Sequence, residues 1–134
     1  MKIATLVIDD DVANRFIIRS YIEDHCPALL IAGEGGSVKE AIELIGKHKP
    51  DLLLLDISMP DGTAFDLLRA VPVKSFEVIF ITAYDKYAIE AFKFSAIDYL
   101  LKPVAFTQLD DALRRVSERI EEKFFNRHWT SLAY

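Results

Sequence analysis

Five short apolar runs punctuate the chain: Ile3–Ile8, Leu29–Ala32, Leu52–Leu55, Val78–Ile81 and Tyr99–Leu101. Leu52–Leu55 has no polar break, the pattern of a strand covered on both faces. Between the runs, apolar residues recur at helical spacing. Val12–His25 brings Val12, Phe16, Ile17, Tyr21 and Ile22 toward one face. Val38–His48 does the same with Val38, Ala41, Ile42 and Ile45, and Ser37 with Glu40 makes a capping box at its start. Ala64–Val71 and Tyr87–Phe94 predict two short helices, the second through Ala88, Ala91 and Phe92. The longest helix is predicted over Ala105–Phe124, with Leu109, Ala112, Leu113, Val116 and Ile120 as its stripe. Strands alternating with helices form right-handed crossovers. The chain is therefore read as α/β, a doubly wound five-stranded parallel sheet with five helices on its two faces.

This organisation accounts for residues 1–124 as one domain. Residues 125–134 change character, with Trp129, Tyr134 and little helical periodicity. They are read as a tail, or as the start of a linker to an effector domain not included here. Composition agrees with one folded domain: 51% of the residues are hydrophobic and 28% charged, close to the globular average. The net charge of −5 provides no basic surface to hold nucleic acid, so DNA is expected only through another domain. The single cysteine, Cys26, excludes an internal disulfide and is read as a small apolar filler. The apolar run before Asp9 is too short for a signal peptide, and no stretch approaches the roughly 20 apolar residues of a membrane span. A soluble, cytoplasmic protein is expected.

In an open parallel sheet, ligands bind beyond the carboxyl ends of the strands. The residues that end the runs are thus the candidates. The first run ends in Asp9-Asp10-Asp11, the third in Asp56, the fourth in Thr82-Ala83 and the fifth in Lys102-Pro103. Carboxylates crowded into a small cleft repel one another. A hard divalent cation with oxygen ligands removes that conflict, and Mg²⁺ is the usual choice beside phosphate. Taken alone, Asp9-Asp10-Asp11 reads equally well as a helix N-terminus, where acids favour the dipole. Asp56 tips the balance toward the cation.

A carboxylate directly after a buried run is a strand-end cap or a nucleophile, since carboxylates form acyl phosphates. The turn Ser58-Met59-Pro60-Asp61-Gly62 can offer a backbone carbonyl to a metal and an N–H to phosphate. Phosphoryl transfer asks the protein mainly for positioning and charge neutralisation. Lys102 would supply a point charge and Thr82 a hydroxyl donor. Singly, Thr82 is a β-branched strand residue and Lys102 a solvated lysine. Their placement at consecutive strand ends draws both into the site. His25, His48 and His128 have no partner at metal-ligand spacing and are assigned no chemistry.

The stretches Val7-Ile8-Asp9-Asp10-Asp11, Pro50 to Gly62, Ile81-Thr82-Ala83 and Asp98 to Pro103 resemble the receiver domains of two-component response regulators, over about residues 2 to 122. That resemblance implies a flavodoxin-like fold with strand order 2-1-3-4-5. It implies Asp56 as phosphoacceptor, Asp10, Asp56 and the Ser58 carbonyl as direct Mg²⁺ ligands, and Asp9 as a ligand through water. It implies that Thr82, Lys102 and the backbone of Ser58 and Ala83 contact the phosphoryl oxygens, and that Lys102-Pro103 is a cis peptide. Thr82 and Tyr99 would form the switch: Thr82 moves toward the phosphoryl group, Tyr99 turns inward, and the face of the fourth helix, fifth strand and fifth helix is remodelled. The implied partners are a sensor histidine kinase and a second copy of the chain through that face. Tyr84 to Phe92, together with Ala96 to Pro103, is similar to receivers of the LytTR type, in which a DNA-binding domain follows. Bulky Tyr84, two residues after Thr82, would partly shield an acyl phosphate from water.

Three functional classes compete. A phosphoacceptor switch, not a turnover enzyme, fits every signature position; it would act through a LytTR-type output or as a stand-alone receiver binding other proteins. A phosphatase of the haloacid-dehalogenase class also uses an aspartyl nucleophile, but carries an acid where this chain has Ser58. A pseudo-receiver would have lost signature side chains that are present here.

Overall fold

The computed structural model describes residues 2–71 and 75–133, with side chains as far as Arg127. Strands β1 (Ile3–Ile8), β2 (Leu29–Gly35), β3 (Leu52–Leu55), β4 (Glu77–Thr82) and β5 (Asp98–Leu101) form one parallel sheet in the order β2-β1-β3-β4-β5. Helices α1 (Val12–His25), α2 (Val38–His48), α3 (Ala64–Ala70), α4 (Ala88–Lys93) and α5 (Phe106–Ala133) connect and flank them. This is the doubly wound parallel sheet that the alternation of runs predicted, in the flavodoxin-like order that the resemblance implied. A two-residue antiparallel ladder, Ser58–Met59 with Gly62–Thr63, follows β3 and has no counterpart in the sequence reading.

Alternation along each strand sends side chains to opposite faces. Leu53 and Leu55 join Leu6, Ile8 and Phe80 under α2, α3 and α4. Leu52 and Leu54 join Val7, Ile79 and Ile81 under α1 and α5. All four leucines of β3 are at most 1% exposed, which is why that run needs no polar position. The ladder depends on Gly62, whose φ of +152° suits glycine and whose added Cβ would meet the Asp66 carboxylate at 2.9 Å. Thr63 and Asp66 then close a reciprocal capping box at the start of α3. At α2, Ser37 accepts from the Glu40 N–H as expected, but the Glu40 carboxylate reaches the Gly36 N–H and the Ser37 hydroxyl.

Two expectations need correction. The buried stripe of α1 is Ile18 and Ile22, whereas Val12, Phe16 and Ile17 are exposed by 67%, 60% and 48%. Polar bonds near its start tie it to the sheet, where Asn14 donates to Asp9 and Arg15 pairs with Glu34 of β2. The sheet then takes residues four apart on the remaining face. Second, the last helix does not end at Phe124 but runs on to Ala133. Leu109, Ala112, Leu113, Val116 and Ile120 are buried against the sheet as the stripe predicts. A helix nucleated by that packing propagates cheaply through a segment without glycine or proline. The side chains of His128 and Trp129, and Tyr134 altogether, lie outside the described residues. Cys26 packs half-buried against the α1/α5 layer, and burial pushes its thiol up, as suits an apolar filler. Among the described residues no helix is long and apolar enough to cross a membrane.

Candidate functional site

The carboxyl ends of β1, β3 and β5 bring the predicted charged residues together. One oxygen from each of Asp9, Asp10 and Asp56 lies within 4.8 Å of the others, the only group among the described residues arranged to hold a metal ion. Asp9 and Asp56 are buried and Asp10 is exposed. The Lys102 ammonium sits between the buried pair, 2.9 Å from Asp9 Oδ2 and 2.8 Å from Asp56 Oδ2. The sequence had directed Lys102 to phosphoryl oxygens; here it bridges two carboxylates of its own chain. Burial opposes its charge, yet hydrogen bonds to Asp56 and Asp9 hold the ammonium above its ordinary pKa. Burial pushes the Asp9 carboxyl up, against the lowering pull of Lys102 and the Asp11 N–H, and the nearby Asp56 charge adds to the rise.

Local folding explains how each acid is aimed. Asp56 follows β3 and its N–H donates to the Ile8 carbonyl, which locks the residue beside β1. Its Oδ1 accepts from the Ile57 N–H at 2.6 Å, leaving Oδ2 for Lys102. The Asp9 N–H donates to the Gly35 carbonyl of β2. The Asp9 carboxylate accepts from the Asp11 N–H at 2.9 Å and from Asn14 Nδ2 at 2.7 Å. Arg15 donates to the Asp9 carbonyl and pairs with Glu34.

The remaining predicted residues lie on neighbouring elements. Ser58 is exposed on the short ladder. Thr82 ends β4 fully buried, with its hydroxyl 3.4 Å from the Tyr84 N–H, and Ala83 beside it is exposed. Tyr99 pairs with Phe80 across the β4–β5 register, its ring 6.0 Å from the phenyl, and its hydroxyl donates to the Tyr84 carbonyl. Tyr84 is 44% exposed, and the Lys86 ammonium lies over its ring. Lys102-Pro103 is cis, as the resemblance implied.

Asn14, Arg15 and Asp61 were missed. Asp61 lies in the expected turn but also accepts from the Val38 and Lys39 N–H groups at 2.8 and 3.0 Å, which hold it below the usual carboxylate range. A Pro-Asp-Gly turn signals the bend, and nothing in it announces a bond to a helix 22 residues away. The donor set of the acidic group, hard oxygens of crowded carboxylates, suits Mg²⁺ rather than a soft metal.

Comparison with known proteins gives one answer. The sequence model of the response regulator receiver domain matches residues 5–114. An uncharacterized response regulatory protein of Vibrio vulnificus is 34% identical over 132 residues, covering 98% of this chain and 54% of that protein. The sensory transduction protein LytT of Enterococcus faecalis is 36% identical over 117 residues, covering 86% and 48%. The solved REC domain of AraT, a response regulator from Geobacillus stearothermophilus, superposes with a TM-score of 0.84 at 32% identity, covering 92% of this chain and 98% of that one. The chain spans about half the length of the curated relatives it matches.

Proposed function

Because this chain belongs to the response regulator receiver domain family, we propose that Asp56 accepts a phosphoryl group from the phosphohistidine of a sensor kinase. Receiver domains of this family are phosphoacceptor switches rather than turnover enzymes. The observation that carries the reading is the shared ammonium: Lys102 contacts Asp56 and Asp9 together, with Asp10 alongside, at the sheet edge.

An Asp56 carboxylate oxygen forms the bond to phosphorus as the bond to the donor's imidazole nitrogen breaks. Asp10, Asp56 and the Ser58 carbonyl, with Asp9 through water, would hold Mg²⁺, which would supply charge neutralisation. Lys102 releases Asp56 and turns its charge to the phosphoryl oxygens. The Thr82 hydroxyl and the backbone N–H groups of Ser58 and Ala83 donate to the same oxygens. Thr82 leaves its contact with the Tyr84 N–H as it does so, and Tyr99 turns inward into the vacated space. This reshapes the face of α4, β5 and α5, where Ile89, Phe92 and Leu101 are exposed apolar residues suited to a second copy. Phosphorylation thus shifts a pre-existing two-state equilibrium.

Similarity to LytT and the segment Tyr84 to Phe92 support a cytoplasmic transcription regulator in which the end of α5 leads into a LytTR-type DNA-binding domain. Incubation with acetyl phosphate and Mg²⁺ tests the core of this reading. One phosphoryl group should appear on the wild-type chain and none on Asp56→Asn. Equal labelling of both would overturn the assignment.

A further inference from the structure

We infer that Asn14 is a positioning residue for the metal, holding the Asp9 carboxylate in place when Lys102 has let it go. The inference rests on the proposed Mg²⁺ site and goes beyond its assigned ligands. Asp9 has a side chain only 4% exposed, so protein groups rather than bulk water decide its orientation. Three donors do so: the Asp11 N–H at 2.9 Å, Asn14 Nδ2 at 2.7 Å and the Lys102 ammonium at 2.9 Å. Oδ2 carries both Asn14 and Lys102.

These two donors differ in what a divalent cation does to them. An ammonium and a dication attracted to the same carboxylates repel each other, so metal entry weakens the Lys102 contact. The Asn14 amide is neutral and keeps its hydrogen bond without opposing the cation's charge. Without it, Oδ2 would lose its last side-chain donor at the moment the carboxylate must stay oriented. Buried carboxylates left short of partners reorient.

The helix start makes Asn14 rigid. Asp11 caps α1 by accepting from the N–H groups of Ala13 at 3.0 Å and of Asn14 itself at 3.3 Å. Helical side chains lean back toward the N-terminus, so one in the first turn reaches the residues before the helix. Asn14 lines the same small cleft as Asp9, Asp56 and Ile18. The cap and the amide together tie rotation of α1 to the aim of Asp9.

The test uses Asn14→Leu, which keeps the shape and removes the donor, and Asn14→Ala as a second variant. Mg²⁺ alone is titrated into each metal-free domain and followed by amide chemical shifts. The expected result is about three- to tenfold weaker Mg²⁺ binding, part of the value of one charge-assisted hydrogen bond. The Mg²⁺ concentration for half-maximal labelling by acetyl phosphate should rise by the same factor, while the rate at saturating Mg²⁺ stays within about twofold. A merely structural asparagine would leave Mg²⁺ affinity untouched, because alanine and leucine are better helix formers. Wild-type affinity in whichever variants fold overturns the inference and leaves the phosphoacceptor reading standing. Failure of the wild-type domain to bind Mg²⁺ overturns both.

Discussion

Asp56→Asn keeps the shape of the side chain and deletes its charge, so it weighs attraction against crowding. At an effective dielectric constant of about 20, the Lys102 ammonium 2.8 Å away attracts the Asp56 carboxylate by about 6 kcal/mol. Asp9, within 4.8 Å, repels it by about 3.5 kcal/mol. Asp10 lies within the same distance but is exposed, and its repulsion is screened to about 1–2 kcal/mol. These effects nearly cancel. Desolvating a carboxylate costs several kcal/mol, of which the Ile57 N–H at 2.6 Å returns roughly 1.5–3. The asparagine variant should therefore be more stable than wild type by about 2 kcal/mol in Mg²⁺-free buffer at pH 7. Urea unfolding reads this directly, and the thermal midpoint should rise by roughly 6–10 °C. Mg²⁺ at ten times its dissociation constant should add about 1.4 kcal/mol to wild type and narrow the gap. A variant less stable than wild type by about 1 kcal/mol or more without Mg²⁺ would show that the Lys102 pair outweighs the crowding, and would refute this reasoning.

Lys49 ends α2 at φ 47°, ψ 63°, a left-handed conformation that costs a side chain about 1–2 kcal/mol. Lys49→Gly should stabilise the domain by about 0.5–1 kcal/mol after the entropy of the unfolded glycine is counted; an unchanged urea midpoint would contradict this. Tyr21 donates its hydroxyl to Asp110 at 2.6 Å, and that hydrogen bond pushes its pKa up to about 12. The neutral phenol is the favoured form, so its contribution to stability is full below the unfolded value near 10 and is lost as pH rises through 12. The ultraviolet titration of wild type minus Tyr21→Phe should have its midpoint near 12, and a midpoint near 10 would count against the bond. Tyr84→Ala should shorten the lifetime of the acyl phosphate by removing its cover, and an identical lifetime would exclude shielding.

Strand ends were the legible part of the candidate site because a parallel sheet sends its carboxyl termini to one edge, so the meeting of Asp9, Asp56 and Lys102 followed from counting runs. The four leucines of β3 and the α5 stripe were legible because burial leaves a periodic trace. Val12 and Phe16 were misread for the converse reason: apolar residues signal burial only if the helix is turned toward the core. That turn is set by contacts outside the helix, such as Asn14 with Asp9 and Arg15 with Glu34. Asn14 and Asp61 left no trace since each acts through side-chain hydrogen bonds that no periodicity or turn signature announces. Glu77 at the start of β4 was equally silent; it is buried and balanced by Arg119 and Lys123, which lie 42 and 46 residues further along.

The length of α5 has a mechanical consequence. Its 28 residues measure about 42 Å, and about 20 Å of that lies beyond Ile120, the last position buried among the residues with described side chains. A rod held most firmly at its root carries motion there to its far end. Were repacking beside β5 to tilt it by roughly 10°, the far end would swing by about 3 Å, on the order of the displacements that separate bistable states at protein interfaces.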